Sequence, residues 1–274
     1  MITIIWGPPR IGKTAFLVYL LNVVAFDHAR NREMQRAIIE KNENGFNLTV
    51  PNYAVSANFD VEFRQMGYTR RKNRFINPFR LGFANDEVKT HFVLPYETIG
   101  ITEAHKYYDS RVYKQFRPWQ SRFYEQHGHN HINIYMDTQR PGLIDKNIRE
   151  LANFIEIRSL DVQYDRHGNF KKIIWKIRTF DNNGLIDKYL QSGKKDRTCY
   201  KEGKVISEIN VFDLYDSCGC EPKFYAGHFD EDFDINYSKR IGDTPDDYKQ
   251  YLLEFDDEIP ECLKAKSNKK ESSA

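Results

Sequence analysis

The chain has 274 residues, 40% of them hydrophobic and 14% aromatic, with a formal net charge of +2 at pH 7. That length and apolar content suit a large α/β domain with a sizeable core, and exclude a mostly disordered chain. Four cysteines (Cys199, Cys218, Cys220 and Cys262) are too few and too scattered for a disulfide framework.

The near-neutral charge hides a gradient. Lys and Arg crowd the stretch from Arg64 to Arg122, whereas Asp and Glu crowd that from Asp230 to Glu261. Such a division fits a protein that offers one face to an anionic partner. No segment reaches the roughly 18 consecutive apolar residues of a membrane-spanning helix. The first residues carry no basic leader, so the expected setting is the cytoplasm, or the host cytoplasm for a viral protein.

Residues 2–6 form a compact apolar run of the kind found in buried parallel strands. A helix is expected over 14–26, with Phe16, Leu17, Leu20, Leu21 and Val24 on one face, and a polar helical continuation over 27–45. Further strands are expected at 52–59, 98–102, 131–136 and 154–158, with a helix at 144–152. Residues 64–90 read as a basic, aromatic insertion. Strands alternating with helices imply a mostly parallel sheet with right-handed crossovers.

Beyond about residue 160 the pattern turns to strands at 162–164, 172–180 and 205–212, the first two joined by the Asp165-Arg-His-Gly-Asn169 turn. The expected organisation is a core domain over 1–160 and a β-rich extension of it over 161–218. An acidic segment with a short helix at 245–254 fills 219–263, and a polar tail 264–274.

Residues 7–14, Gly-Pro-Pro-Arg-Ile-Gly-Lys-Thr, match G-x-x-x-x-G-K-[ST] at every fixed position, between an apolar strand and an amphipathic helix. Gly7 and Gly12 let the backbone of Pro8 to Ala15 wrap round a phosphate chain, with the N–H groups of Arg10 to Ala15 and the helix N-terminus as its donors, the two prolines having none. Within that stretch Pro9, Arg10 and Ile11 form the turn of the loop. Lys13 is placed to reach the β- and γ-phosphates, and the Thr14 hydroxyl to ligate Mg²⁺, making ATP and Mg²⁺ the expected ligands. An NTPase also needs an acid at the end of a neighbouring strand. Glu103, after Thr98-Ile-Gly-Ile-Thr102, is the candidate general base and a water-mediated metal ligand. The usual pair is Asp-Glu, and Thr102 stands in the Asp position; Asp137 and Asp109 are alternative acids. At the end of the 131–136 strand, Thr138 and Gln139 are candidate γ-phosphate sensors. Arg140 and Arg149 are candidate arginine fingers acting across a subunit boundary.

These motifs come in a definite order: the phosphate loop, the strand ending in Glu103, His127-Gly-His-Asn-His131, a strand, Thr138-Gln-Arg-Pro141, then Ile148-Arg-Glu150. Over about residues 1–160 this resembles the N-terminal domain of the zonular occludens toxin (Zot) family, which includes filamentous-phage assembly ATPases. It is more distantly similar to the FtsK–HerA class of DNA-pumping ATPases. The resemblance implies a RecA-like α/β core working as a homo-oligomeric ring with other phage assembly proteins, hydrolysing ATP to move or extrude DNA. Gly7, Gly12, Lys13, Thr14, Glu103 and Gln139 are the positions that match. The chain departs from the family at Thr102 and in lacking the membrane-spanning segment that many members carry. DNA packaging therefore stands beside extrusion as the expected role.

Other constellations bear on partners. Basic and aromatic residues interleave over 106–124, with Tyr107, Tyr108, Tyr113, Phe116, Trp119 and Tyr124 available either to stack on DNA bases or to build a core. Arg70 to Arg74 adds basic charge. His127, His129 and His131 alternate in a way that would allow metal binding, although a loop entering a strand is the better explanation of them. Asp230-Glu-Asp-Phe-Asp234 lacks a full calcium-loop signature. The competing classes are a small-molecule P-loop kinase and a nucleotide-binding assembly or regulatory protein without turnover.

Overall fold

A computed structural model describes residues 1–44, 53–65, 71–76, 78, 81, 93–111 and 118–215, without the side chains of 71, 72, 74, 75, 118 and 119. The acidic segment, the tail, Cys218, Cys220 and Cys262, and most of the 64–90 insertion lie outside the described residues.

The fold is α/β. An eight-stranded sheet runs β10-β9-β8-β1-β7-β6-β2-β5, and a two-stranded sheet pairs β3 (Glu62–Phe63) with β4 (Arg71–Lys72) antiparallel. The central strands are β1 (Ile2–Trp6), β7 (Asn133–Thr138), β6 (Thr98–Ile101) and β2 (Val55–Ala57), all mutually parallel. β5 (Arg74–Phe75) closes one side, also parallel. β8 (Ala152–Tyr164) flanks β1 in parallel, and β9 (Phe170–Phe180) and β10 (Lys201–Ser207) follow antiparallel. The mostly parallel sheet with flanking helices is the arrangement expected from the sequence.

Each face of the sheet carries its own core. On one face α1 (Lys13–Ala25) buries Phe16, Leu17, Val18 and Leu21 against Ile5, Ile157 and Trp175. Each such side chain contributes about 1.5–3 kcal/mol by leaving water, and the Phe16 and Trp175 rings meet edge-on at 5.4 Å. On the other face α3 (Pro118–Gln126), α4 (Lys146–Glu150) and α5 (Asn183–Gln191) cover Ile4, Trp6, Ile134, Met136 and Phe154.

Several elements differ from the sequence-based expectation for identifiable reasons. The polar stretch after α1 is a separate helix, α2 (His28–Glu43), because the Asp27 carboxylate caps the amides of Ala29 and Arg30. The strands expected at 154–158 and 162–164 are one strand, β8, with a register shift against β9 between Ile157 and Ser159 that breaks the alternation. The helix expected at 144–152 is shorter, since Ala152 already pairs with Ile2. Helices α3 and α5 were not anticipated; α5 is only nine residues and is started by the Asn182 side chain accepting from Leu185.

Gly100 in β6 sets how closely α1 approaches the sheet: a Cβ there would lie 2.5 Å from Leu21 Cδ1. Gly100→Ala is expected to cost about 1–3 kcal/mol by overpacking. Chemical denaturation of Gly100→Ala, Leu21→Ala and the double variant checks this. The double variant should be more stable than the sum of the single losses predicts, because the shortened side chain makes room for the methyl.

Candidate functional site

Parallel strands with helices between them deliver their carboxyl ends to one edge, where open α/β sheets bind ligands. Here β1, β7 and β6 are successive neighbours, and the residues that follow them are Gly7, Gln139 and Thr102.

Residues 7–12 form the loop from β1 into α1. Arg10 at φ 62° and Gly12 at φ 81° both adopt left-handed backbone, the reversals from which anion-binding nests are made. A Cβ at Gly7 would meet the Ile157 carbonyl oxygen at 3.0 Å, so the loop lies tightly against β8. Gly12 is the N-cap of α1 and has no side chain to satisfy the first amides, and no acidic residue stands in the first turn. That helix end is open to an anion. Lys13 is buried and its ammonium donates to the Pro8 carbonyl at 3.0 Å, folding back across the loop.

The Thr14 hydroxyl donates to Asp137 Oδ2 at 2.8 Å. The same oxygen accepts from the Thr102 hydroxyl at 3.0 Å, and Oδ1 accepts from the Glu103 amide at 2.8 Å. Asp137 has no exposed surface. Burial raises its carboxyl above the usual carboxylate range, with the Glu103 amide, the Thr14 hydroxyl and the charge of Lys13 pulling the other way.

Glu103 sits just past β6 in left-handed backbone at φ 51°, with its carboxylate partly exposed and Oε2 3.5 Å from His105 Nε2. The turn that carries it is pinned by Asn58, whose side chain accepts from the Thr102 amide and donates to the Thr102 carbonyl. His105 also lies 3.4 Å, through Nδ1, from the Thr138 hydroxyl. Burial lowers the His105 pKa, and neighbouring Lys106 adds to this. Thr138 is buried, whereas Gln139 and Arg140 are exposed beyond the end of β7.

The structure therefore gathers Gly7, Gly12, Lys13, Thr14, Thr102, Glu103 and Thr138 around one edge. Arg149 stands in α4, where it donates to the Ile144 carbonyl and lies 3.4 Å from Asn183 Oδ1. Asp109, the other alternative acid, is held by the Arg111 guanidinium. Sequence reasoning missed His105 and Asn58. A histidine two places after the acid and an asparagine ending a core strand were the available signals.

A second buried carboxylate lies beside the loop. Glu156 is paired across β8 with Trp6. It accepts from Tyr189 at 3.1 Å and from Arg158 at 3.2 Å, and Arg178 lies 3.8 Å away. Its charge is matched inside the fold, which marks it as an internal tie.

The aromatic segment divides. Tyr108 and Tyr124 are buried and pack edge-on at 5.6 Å, so they belong to the core and not to a base-stacking surface. The side chains of residues 112–119 lie outside the described residues. The histidines do not converge: His131 stacks on Tyr96 and His127 Nδ1 contacts the Tyr124 carbonyl. Among the described residues no three His, Cys, Asp or Glu side chains gather to hold a metal, and no helix is long and apolar enough to cross a membrane.

No family model and no curated protein matches the chain. Solved structures do. The N-terminal domain of zonular occludens toxin from Neisseria meningitidis is 19% identical, over 78% of this chain and 98% of that one, with a TM-score of 0.45. The genome packaging NTPase B204 from Sulfolobus turreted icosahedral virus 2, in complex with ATP-gammaS, is 10% identical over 67% and 93%, with a TM-score of 0.35. The same NTPase in complex with AMPPCP is 10% identical over 67% and 93%, with a TM-score of 0.33.

Proposed function

We propose that this chain binds ATP with Mg²⁺ and hydrolyses it as a Zot-like motor in phage assembly, packaging or extruding DNA as a homo-oligomeric ring in the host cytoplasm. The observation that carries the reading is the juxtaposition at one sheet edge of a full phosphate loop and Glu103, two strands apart across β7.

The residues divide the work. Lys13 exchanges the Pro8 carbonyl for the β- and γ-phosphates, and the first amides of α1 hold the phosphate oxygens. The Thr14 hydroxyl would hold Mg²⁺, which would supply positive charge against the phosphates. Glu103 accepts the proton of the attacking water. Gln139, exposed past β7, orients that water or contacts the γ-phosphate. Arg149, which bonds the Ile144 carbonyl within its own chain, would leave that partner to serve a neighbouring subunit's nucleotide. The basic stretch over 106–124 provides the DNA contacts through its charges.

Phosphate release from ATP is the first measurement, with and without DNA. Hydrolysis should rise with DNA and fall by roughly 10²-fold or more in Lys13→Ala, which loses a charge aimed at the transition state. Glu103→Gln should lose about 10²–10⁴-fold in turnover while retaining ATP, because the general base goes and the loop stays. A Glu103→Gln protein as fast as wild type would remove Glu103 from the mechanism. Thr102 in place of the usual Asp favours a second reading, an assembly factor that binds ATP without turnover. Tight ATP binding with no phosphate release under either condition would establish that reading instead.

A further inference from the structure

The position that normally carries an acid at the end of the β6 strand is Thr102, and the strand beside it ends in an acid. The parallel register pairs Ile101 with Met136, so Thr102 and Asp137 are the next residues at the same level. Their side chains meet, hydroxyl to carboxylate, at 3.0 Å. We infer that the carboxylate and the hydroxyl have changed strands, and that Asp137 is the residue that positions Mg²⁺ through Thr14. This rests on the nucleotide-binding reading above and deepens it.

The geometry supports the assignment in three ways. First, the Thr14 hydroxyl donates its hydrogen bond to Asp137, which leaves its lone pairs to face away from that carboxylate, where a cation would be met. Second, the donors at this point are hydroxyl and carboxylate oxygens, the hard ligands and outer partners that Mg²⁺ selects. Third, Glu103 is not committed to the same task. Its amide anchors Asp137, while its carboxylate turns to the His105 side and stays partly exposed. One carboxylate anchors the metal site and the other is left to the water. Asp137 is thus a positioning residue.

The test is the affinity for ATPγS, by titration calorimetry, in Mg²⁺ and in EDTA. Wild type, Asp137→Asn and the exchanged double variant T102D/D137T are compared, with Mn²⁺ electron paramagnetic resonance as a second readout of bound metal. In Asp137→Asn the ratio of affinity with Mg²⁺ to affinity without should fall about 10–100-fold, with a parallel loss of nucleotide-bound Mn²⁺. The exchanged variant, which returns the acid to the β6 strand, should recover the wild-type ratio. A wild-type ratio in Asp137→Asn overturns the assignment, as does an exchanged variant that folds without recovery. If Asp137→Asn fails to fold, the exchanged variant decides alone, by the same two outcomes. Wild-type protein that does not bind ATPγS, or binding that survives Lys13→Ala, overturns the nucleotide-binding reading itself and this assignment with it.

Discussion

A carboxyl group with no exposed surface is held in a fold only if its oxygens are occupied, and Asp137 meets that requirement by drawing on three separate segments. One donor comes from the first turn of α1, one from the Thr102 side chain after β6, and one from the backbone of Glu103. Satisfying the carboxylate therefore fixes the phosphate loop, the turn bearing Glu103 and the end of β7 relative to one another. The cost of leaving any of these donors unmade, about 1–3 kcal/mol for a buried polar group, acts as a clamp on the geometry. Lys13 adds the compensating positive charge nearby. The rest of the site is arranged around a residue with no exposed surface of its own.

What could be read in the sequence follows from the range of the signal. The loop over 7–14 was legible because its glycines, lysine and threonine are contiguous and lie between an apolar run and a helical stripe. β1 and the acid at Glu103 were legible for the same reason. The part played by Asp137 was not, since Thr102 and Asp137 are 35 positions apart and meet only through the register of two parallel strands. Burial was equally hidden. Tyr108 and Tyr124 stand among basic residues and look available in sequence, yet both fill the core beneath α3. The sequence shows that an aromatic is present and not which way it faces.

The β-rich part shows a different limit. Alternation predicts strands but not where one strand stops, and β8 passes position 160 without a break into the antiparallel pairing with β9. The charges of Glu156 and Arg178 look like solvated strand positions in sequence. Inside the fold they form a tie with Tyr189, on the helix α5 that packs back over β9.

That continuous strand has a mechanical consequence. With a rise of about 3.3 Å per residue, β8 is roughly 40 Å long. It is backed against the loop at two points, the Ile157 carbonyl beside Gly7 and Leu160 beside Gly12, and its register slips between Ile157 and Ser159, at the same level. The loop is thus packed against the strand at the first of its two register irregularities, the second lying between Gln163 and Tyr164. The hairpin at Asp165 to Asn169, at the strand's far end, is in effect the tip of a pointer whose base is backed against that loop.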